Sequence, residues 1–112
     1  MALSGFFKLV FSAQLAGAGG VAVLDNGRIH GGDTQYLYAG NFEQHGDRLT
    51  AHLRIVAHAA AALIAHRGIG GAFDLYLTGT AVDAAFSLSG ASPIPGATVT
   101  VMGHRIGTID LR

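Results

Sequence analysis

The sequence predicts an all-β domain of seven to nine short antiparallel strands, folded as a sandwich or a closed barrel, with at most one short helix. Three observations predict it. Apolar and polar residues alternate one by one over several stretches, the period of a strand with one dry face and one wet face. Turn-forming residues (Asn-Gly, Gly-Gly-Asp, Gly-Asp) separate those stretches at short intervals. Only 12 % of the residues are charged, so few strand edges carry protecting charges, and closure into a barrel, which removes the edges, is the favoured arrangement.

The elements follow in order. Gly5 to Ala13 reads as a strand, with Phe7, Leu9 and Phe11 on one face and Lys8 and Ser12 on the other. Gly17, Gly19 and Gly20 break it, and Val21 to Leu24 forms a short second strand. Asn26-Gly27 then supplies two residues that tolerate positive φ, the strongest local hairpin signal in the chain. Arg28 to His30 is the return strand, ended by a turn at Gly31-Gly32-Asp33, where an Asp side chain commonly bonds nearby backbone N–H groups. Gln35 to Glu43 places Tyr36, Tyr38 and Phe42 on one face, and Gly40 marks a bend or a close backbone approach. After a turn at His45-Gly46-Asp47, Arg48 to Ala57 alternates most clearly, with Leu49, Ala51, Leu53 and Ile55 inward. Ala59 to His66, rich in Ala, reads as one or two helical turns or an irregular crossing. Ala72 to Thr78 is a strand with Phe73, Leu75 and Leu77 inward, and Ala81 to Ser89 is another, carrying Val82, Phe86 and Leu88. Past a loop at Ser92 to Gly96, Ala97 to Met102 and Ile106 to Leu111 supply the last strands.

At 112 residues the chain is expected to be one domain, 1–112, with no internal repeat or linker. Seven Lys and Arg balance seven Asp and Glu, so no basic stripe exists to neutralise phosphates and nucleic-acid binding is not expected. No apolar stretch reaches the roughly 20 residues that cross a bilayer as a helix, so no membrane span is expected. Lys8 lies within the first apolar run, not ahead of it, so the N-terminal segment reads as mature structure and not as a secretion signal. The absence of Cys excludes disulfides and thiolate metal sites and fits a cytoplasmic location.

No constellation selects an enzyme, and no catalytic residue, cofactor or metal is expected. The six histidines (His30, His45, His52, His58, His66, His104) include no short-spaced pair of the kind that zinc needs, and read as polar residues on outer strand faces. No Gly-x-Ser-x-Gly occurs. Asp74 and Asp83 could share a proton across a hairpin, although both occupy polar positions that normally face water. Phe7, Leu9, Phe11, Tyr36, Tyr38, Phe42, Leu53, Phe73 and Leu75 are the candidates to line a barrel interior. They would enclose either a small apolar ligand or, as close packing favours, an ordinary core.

Gly5-Phe6-Phe7, Gly19-Gly20-Val21, Asn26-Gly27-Arg28-Ile29, Gly31-Gly32-Asp33, Tyr38-Ala39-Gly40 and Leu75-Tyr76-Leu77-Thr78-Gly79 occur in an order that resembles one family over nearly the whole chain. It is the negative regulators of type III secretion gene expression, the GrlR-like family. The resemblance implies an eight-stranded, lipocalin-like barrel that forms a homodimer and sequesters a transcriptional activator, without catalysis or DNA contact of its own. It also implies an acidic run for partner binding near the turn Glu43-Gln44-His45-Gly46-Asp47-Arg48, where this chain keeps only Glu43 and Asp47. The expected function is therefore a regulatory binding protein with a protein partner, and the alternative is a lipocalin-like carrier or sensor of a small apolar ligand. A mean hydropathy of +0.41 and the low charge leave apolar surface over, which also favours a homodimer.

Overall fold

The computed structural model describes residues 3–11, 19–60, 71–91 and 96–111. Its strands are β1 (Gly5–Phe11), β2 (Val21–Asp25), β3 (Arg28–Gly32), β4 (Tyr36–His45), β5 (Arg48–Ala57), β6 (Ala72–Val82), β7 (Ala85–Ala91) and β8 (Thr98–Gly107). Each pairs antiparallel with its neighbours in chain order, and β1 pairs with β8, so the sheet closes into an eight-stranded barrel. The expected barrel is the observed one. Among the described residues no helix is long and apolar enough to cross a membrane. The predicted helical turns at Ala59 to His66 fall, from residue 61 onward, outside the described residues, as do Ser12 and Ala13 of the first predicted strand.

Alternation builds the core. Along β5, Leu49, Ala51, Leu53, Ile55 and Ala57 are buried while the residues between them are not, and β1, β4 and β6 repeat the pattern. Because a strand's side chains alternate strictly, the register fixes every residue's face. Leu53 stands opposite Gly40 and Leu75, and Tyr38 opposite Ile55 and Gly31, so inward positions meet inward positions from β3 to β6, while the β1–β8 ladder shifts register between Phe6 and Phe7. The β2–β3 hairpin turns on Asn26 (φ 51) and Gly27 (φ 76), both in the left-handed region that this two-residue turn requires.

Four expectations need correction. Gly31 and Gly32 belong to β3, not to a turn: they pair with Ala22 and Val21 on one side and with Tyr38 and Leu37 on the other, and the turn begins only at Asp33. A side chain at Gly31 would run into the β2 backbone at Val21 and Ala22, so the missing Cβ serves close strand approach. Second, β6 does not end at Thr78. It continues through Gly79 to Val82, and the turn is Asp83-Ala84, with Asp83 at φ 56. Third, that shift puts Ala81, opposite Phe86, on the inner face and Val82 on the outer one, 62 % exposed. Last, Ala97 to Met102 and Ile106 to Leu111 are not two strands. β8 runs unbroken through Gly103, where the ring of Phe86 fills the space that a side chain would take.

Gly40 and Gly79 sit at inward positions where the neighbouring strand crosses so close that a Cβ would collide with a backbone carbonyl, of His52 and Ser87 respectively. Gly→Ala at either site is expected to cost about 2 kcal/mol, the usual scale of overpacking against atoms that cannot move aside. At Gly46, which has open space around it but a φ of +64, the same change is expected to cost about 1 kcal/mol through backbone strain alone. Urea-denaturation midpoints of the three variants check the order.

Candidate functional site

All nine predicted lining residues point into the barrel and are buried. Phe7 and Leu75 have no accessible surface, and Leu9, Tyr36, Tyr38 and Leu53 keep 2 % each. Side chains that enclose a solvent-sized space expose their inner surface to it, so these residues pack on one another. The ring centroids of Phe7 and Phe86 are 5.6 Å apart and those of Phe11 and Tyr38 5.1 Å, the spacing of tilted aromatic pairs in a filled core. Toward the end where β2–β3, β4–β5 and β6–β7 turn, the Arg105 guanidinium lies over the Phe7 ring, 5.6 Å from its centroid.

At the opposite end, Asp33 ties three pieces of chain together. Its Oδ1 accepts hydrogen bonds from the backbone N–H groups of Gln35 and Tyr36, each at 2.7 Å, which shapes the β3–β4 turn. Its Oδ2 accepts from Gly19 N–H at 2.7 Å, just ahead of β2, and from the hydroxyl of Tyr38. His58, beyond the end of β5, donates through Nε2 to the Asp33 carbonyl oxygen at 2.9 Å. Burial raises the Asp33 pKa, and the bonds from Tyr38, Gly19, Gln35 and Tyr36 more than offset it, leaving the carboxyl below its ordinary value. Burial and the Asp33 carboxylate together push Tyr38 far up, so its hydroxyl stays a donor, and they raise Tyr36 as well.

The outer face carries the remaining polar structure. His52 is not a lone surface histidine. Its ring stacks on Tyr76 across the β5–β6 ladder, with centroids 4.6 Å apart and planes 6° off parallel, and its Nε2 is 3.0 Å from the Asp74 carboxylate. Arg54 holds the other Asp74 oxygen at 2.9 Å. The His52 hydrogen bond, with Arg54 beside it, lowers the Asp74 pKa. Asp83 lies apart from Asp74, at the far end of β6, so the two carboxylates share no proton. Among the described residues no three His, Cys, Asp or Glu side chains converge on a point that could hold a metal. Glu43 and Asp47, the residues expected to face a partner, are both exposed beside the β4–β5 turn, and Glu43 is 3.5 Å from His45.

Among the described residues the arrangement is a closed antiparallel β-barrel whose inward side chains pack on one another, with polar features on its outer wall. No model of a known protein family matches the chain, and no curated protein matches it.

Asp33→Ala is expected to lower stability by at least about 2 kcal/mol, because it strips partners from several donors that its charged oxygens satisfy. The pH dependence follows from the lowered pKa. A carboxyl depressed below its unfolded value of 3.8 stabilises the fold above that pH, and the contribution disappears as pH falls through the lower folded value. Urea midpoints taken from pH 7 down to pH 2 check this: the native protein weakens on acidification, and Asp33→Ala flattens the acid limb.

Proposed function

We propose that this protein is a non-enzymatic regulatory binding protein that occupies a partner protein through the outside of its barrel. The family it resembles in sequence, the negative regulators of type III secretion gene expression, suggests a transcriptional activator as the partner and a homodimer as the working form. The observation that carries the reading is the filled interior. A carrier needs an open calyx, whereas side chains such as Phe7 and Leu75 leave no accessible surface for cargo, and recognition falls to the exterior. Glu43 and Asp47 at the β4–β5 turn are the acidic groups assigned to the partner contact, where exposed charges steer encounter more than they add affinity.

Affinity capture of the full-length protein from its native host, read by mass spectrometry, tests the proposal. Co-capture of a transcriptional activator supports it, and a bound lipid without a protein partner overturns it. Reversing both charges, Glu43→Lys with Asp47→Lys, is expected to weaken binding of that activator about tenfold, equivalent to about 1.4 kcal/mol, with added salt weakening the native complex in the same direction. Light scattering at micromolar concentration is expected to give twice the 11.5 kDa protomer mass, with exposed apolar side chains such as Val10, Leu37 and Met102 available to an interface.

A further inference from the structure

Asn26-Gly27, the turn of the β2–β3 hairpin, is also the dipeptide of this chain most able to modify itself. The Gly27 nitrogen, losing its proton to water, attacks the side-chain carbon Cγ of Asn26. An N–Cγ bond forms, the bond from Cγ to the amide nitrogen breaks, and ammonia leaves, giving a five-membered succinimide. Water then opens the ring at one carbonyl to give aspartate, or at the other to give isoaspartate, in which the main chain runs through Cγ. Glycine permits the attack because no side chain shields its nitrogen. The chain's other asparagine, Asn41, precedes the bulky Phe42 and lies mid-strand in β4, paired with Arg28 on one side and His52 on the other.

The closed hairpin blocks this reaction by geometry and not by burial. Asn26 is exposed, so water reaches it. Its φ of 51 and the φ of 76 at Gly27 make the turn between Asp25 and Arg28 the mirror-image, type I′ form. The first central residue of that turn has ψ of about +30°. The Gly27 nitrogen then points almost directly away from the Asn26 Cβ, whereas ring closure needs it turned to the Cβ side. Rotation to that side pulls the Gly27 carbonyl from the Phe42 N–H that donates to it at 2.8 Å, and breaks the Asp25–Arg28 pair. β2 and β3 are the shortest strands and bury only Ala22, Leu24 and Ile29, so this hairpin opens at lower cost than the longer strands around it.

We propose that Asn26 is a self-modification site gated by the fold, inert while the β2–β3 hairpin is closed and converted to isoaspartate or aspartate in chains that have opened it. The two products differ in consequence. Aspartate accepts the left-handed backbone of the turn, so that product folds again. Isoaspartate lengthens the main chain within a two-residue loop, and because loop length sets hairpin register, the β2–β3 pairing is not recovered. A chain that has unfolded is thereby marked. The site is independent of the partner-protein reading.

The test incubates the full-length protein at neutral pH and one temperature, with and without urea. Peptide mass mapping locates each lost amide, and an isoaspartyl methyltransferase with labelled S-adenosylmethionine reads the isoaspartate. Unfolded chains are expected to lose the Asn26 amide, and native chains to lose it at least about tenfold more slowly, since only the opened fraction reacts. Gly27→Ala, compared in urea where folding plays no part, is expected to slow the loss severalfold. Asn26→Asp is expected to keep the native far-UV spectrum, and the purified isoaspartyl form to have a lower urea midpoint than that variant. Any one of these results would overturn the proposal: equal rates in native and unfolded protein, no loss at Asn26 in urea, earlier loss at Asn41, an unchanged rate in Gly27→Ala, an Asn26→Asp variant that does not fold, or an isoaspartyl form as stable as that variant.

Discussion

Pairing between β1 and β8 is the constraint on which the remainder of this structure rests. Once Phe7 and Phe11 sit opposite Arg105 and Val101, the hydrogen-bond ladder has no edge left within the described residues. Closure leaves each strand's inward residues facing one enclosed volume. In a chain rich in Ala and Gly, that volume must be small for the side chains to fill it. The glycines make it small, since at Gly40 and Gly79 the next strand's backbone lies where a side chain would otherwise hold it off. The aromatic residues then occupy what remains, as Phe86 does over Gly103.

Filling the interior leaves the outer wall as the surface open to contacts. An eight-stranded barrel has room for its own side chains or for one small ligand, and here the side chains take it. The outer face is correspondingly structured. His52, Arg54, Asp74 and Tyr76 form a braced group across β5 and β6, in which the carboxylate orders both its cationic neighbour and an aromatic stack. Isolated exposed ion pairs contribute little to stability. The consequence of this one is geometric, because it holds an exposed ring in one orientation.

Asp33 does the comparable work at the end where β3 passes into β4. A carboxylate with bonds from Gly19, Gln35, Tyr36 and Tyr38 joins the entry to β2, the β3–β4 turn and an inward side chain of β4. It also accepts the proton of the buried Tyr38 hydroxyl, whose oxygen in turn accepts from Gly19 N–H, and a buried donor left unpaired would be costly.

Alternation determined by itself which residues face inward along β1, β4 and β5, because a strand's period of two needs no partner to be read. Asn26-Gly27 determined a hairpin for an equally local reason, since its backbone angles are available to those residues and strained for most others. Tertiary structure decided where the glycines of β3, β6 and β8 belong. In the sequence Gly31, Gly79 and Gly103 look like interruptions, yet each continues its strand because a neighbouring backbone or ring occupies the space beside it. The Asp33 and His52–Tyr76 groups were only half legible for the same reason. Asp33 could be read as a turn residue, but not as a partner of Gly19 and Tyr38. His52, Asp74 and Tyr76 are ordinary outward residues until the β5–β6 register sets them side by side. Contacts between residues distant in the chain depend on register and on closure, and both are properties of the assembled barrel.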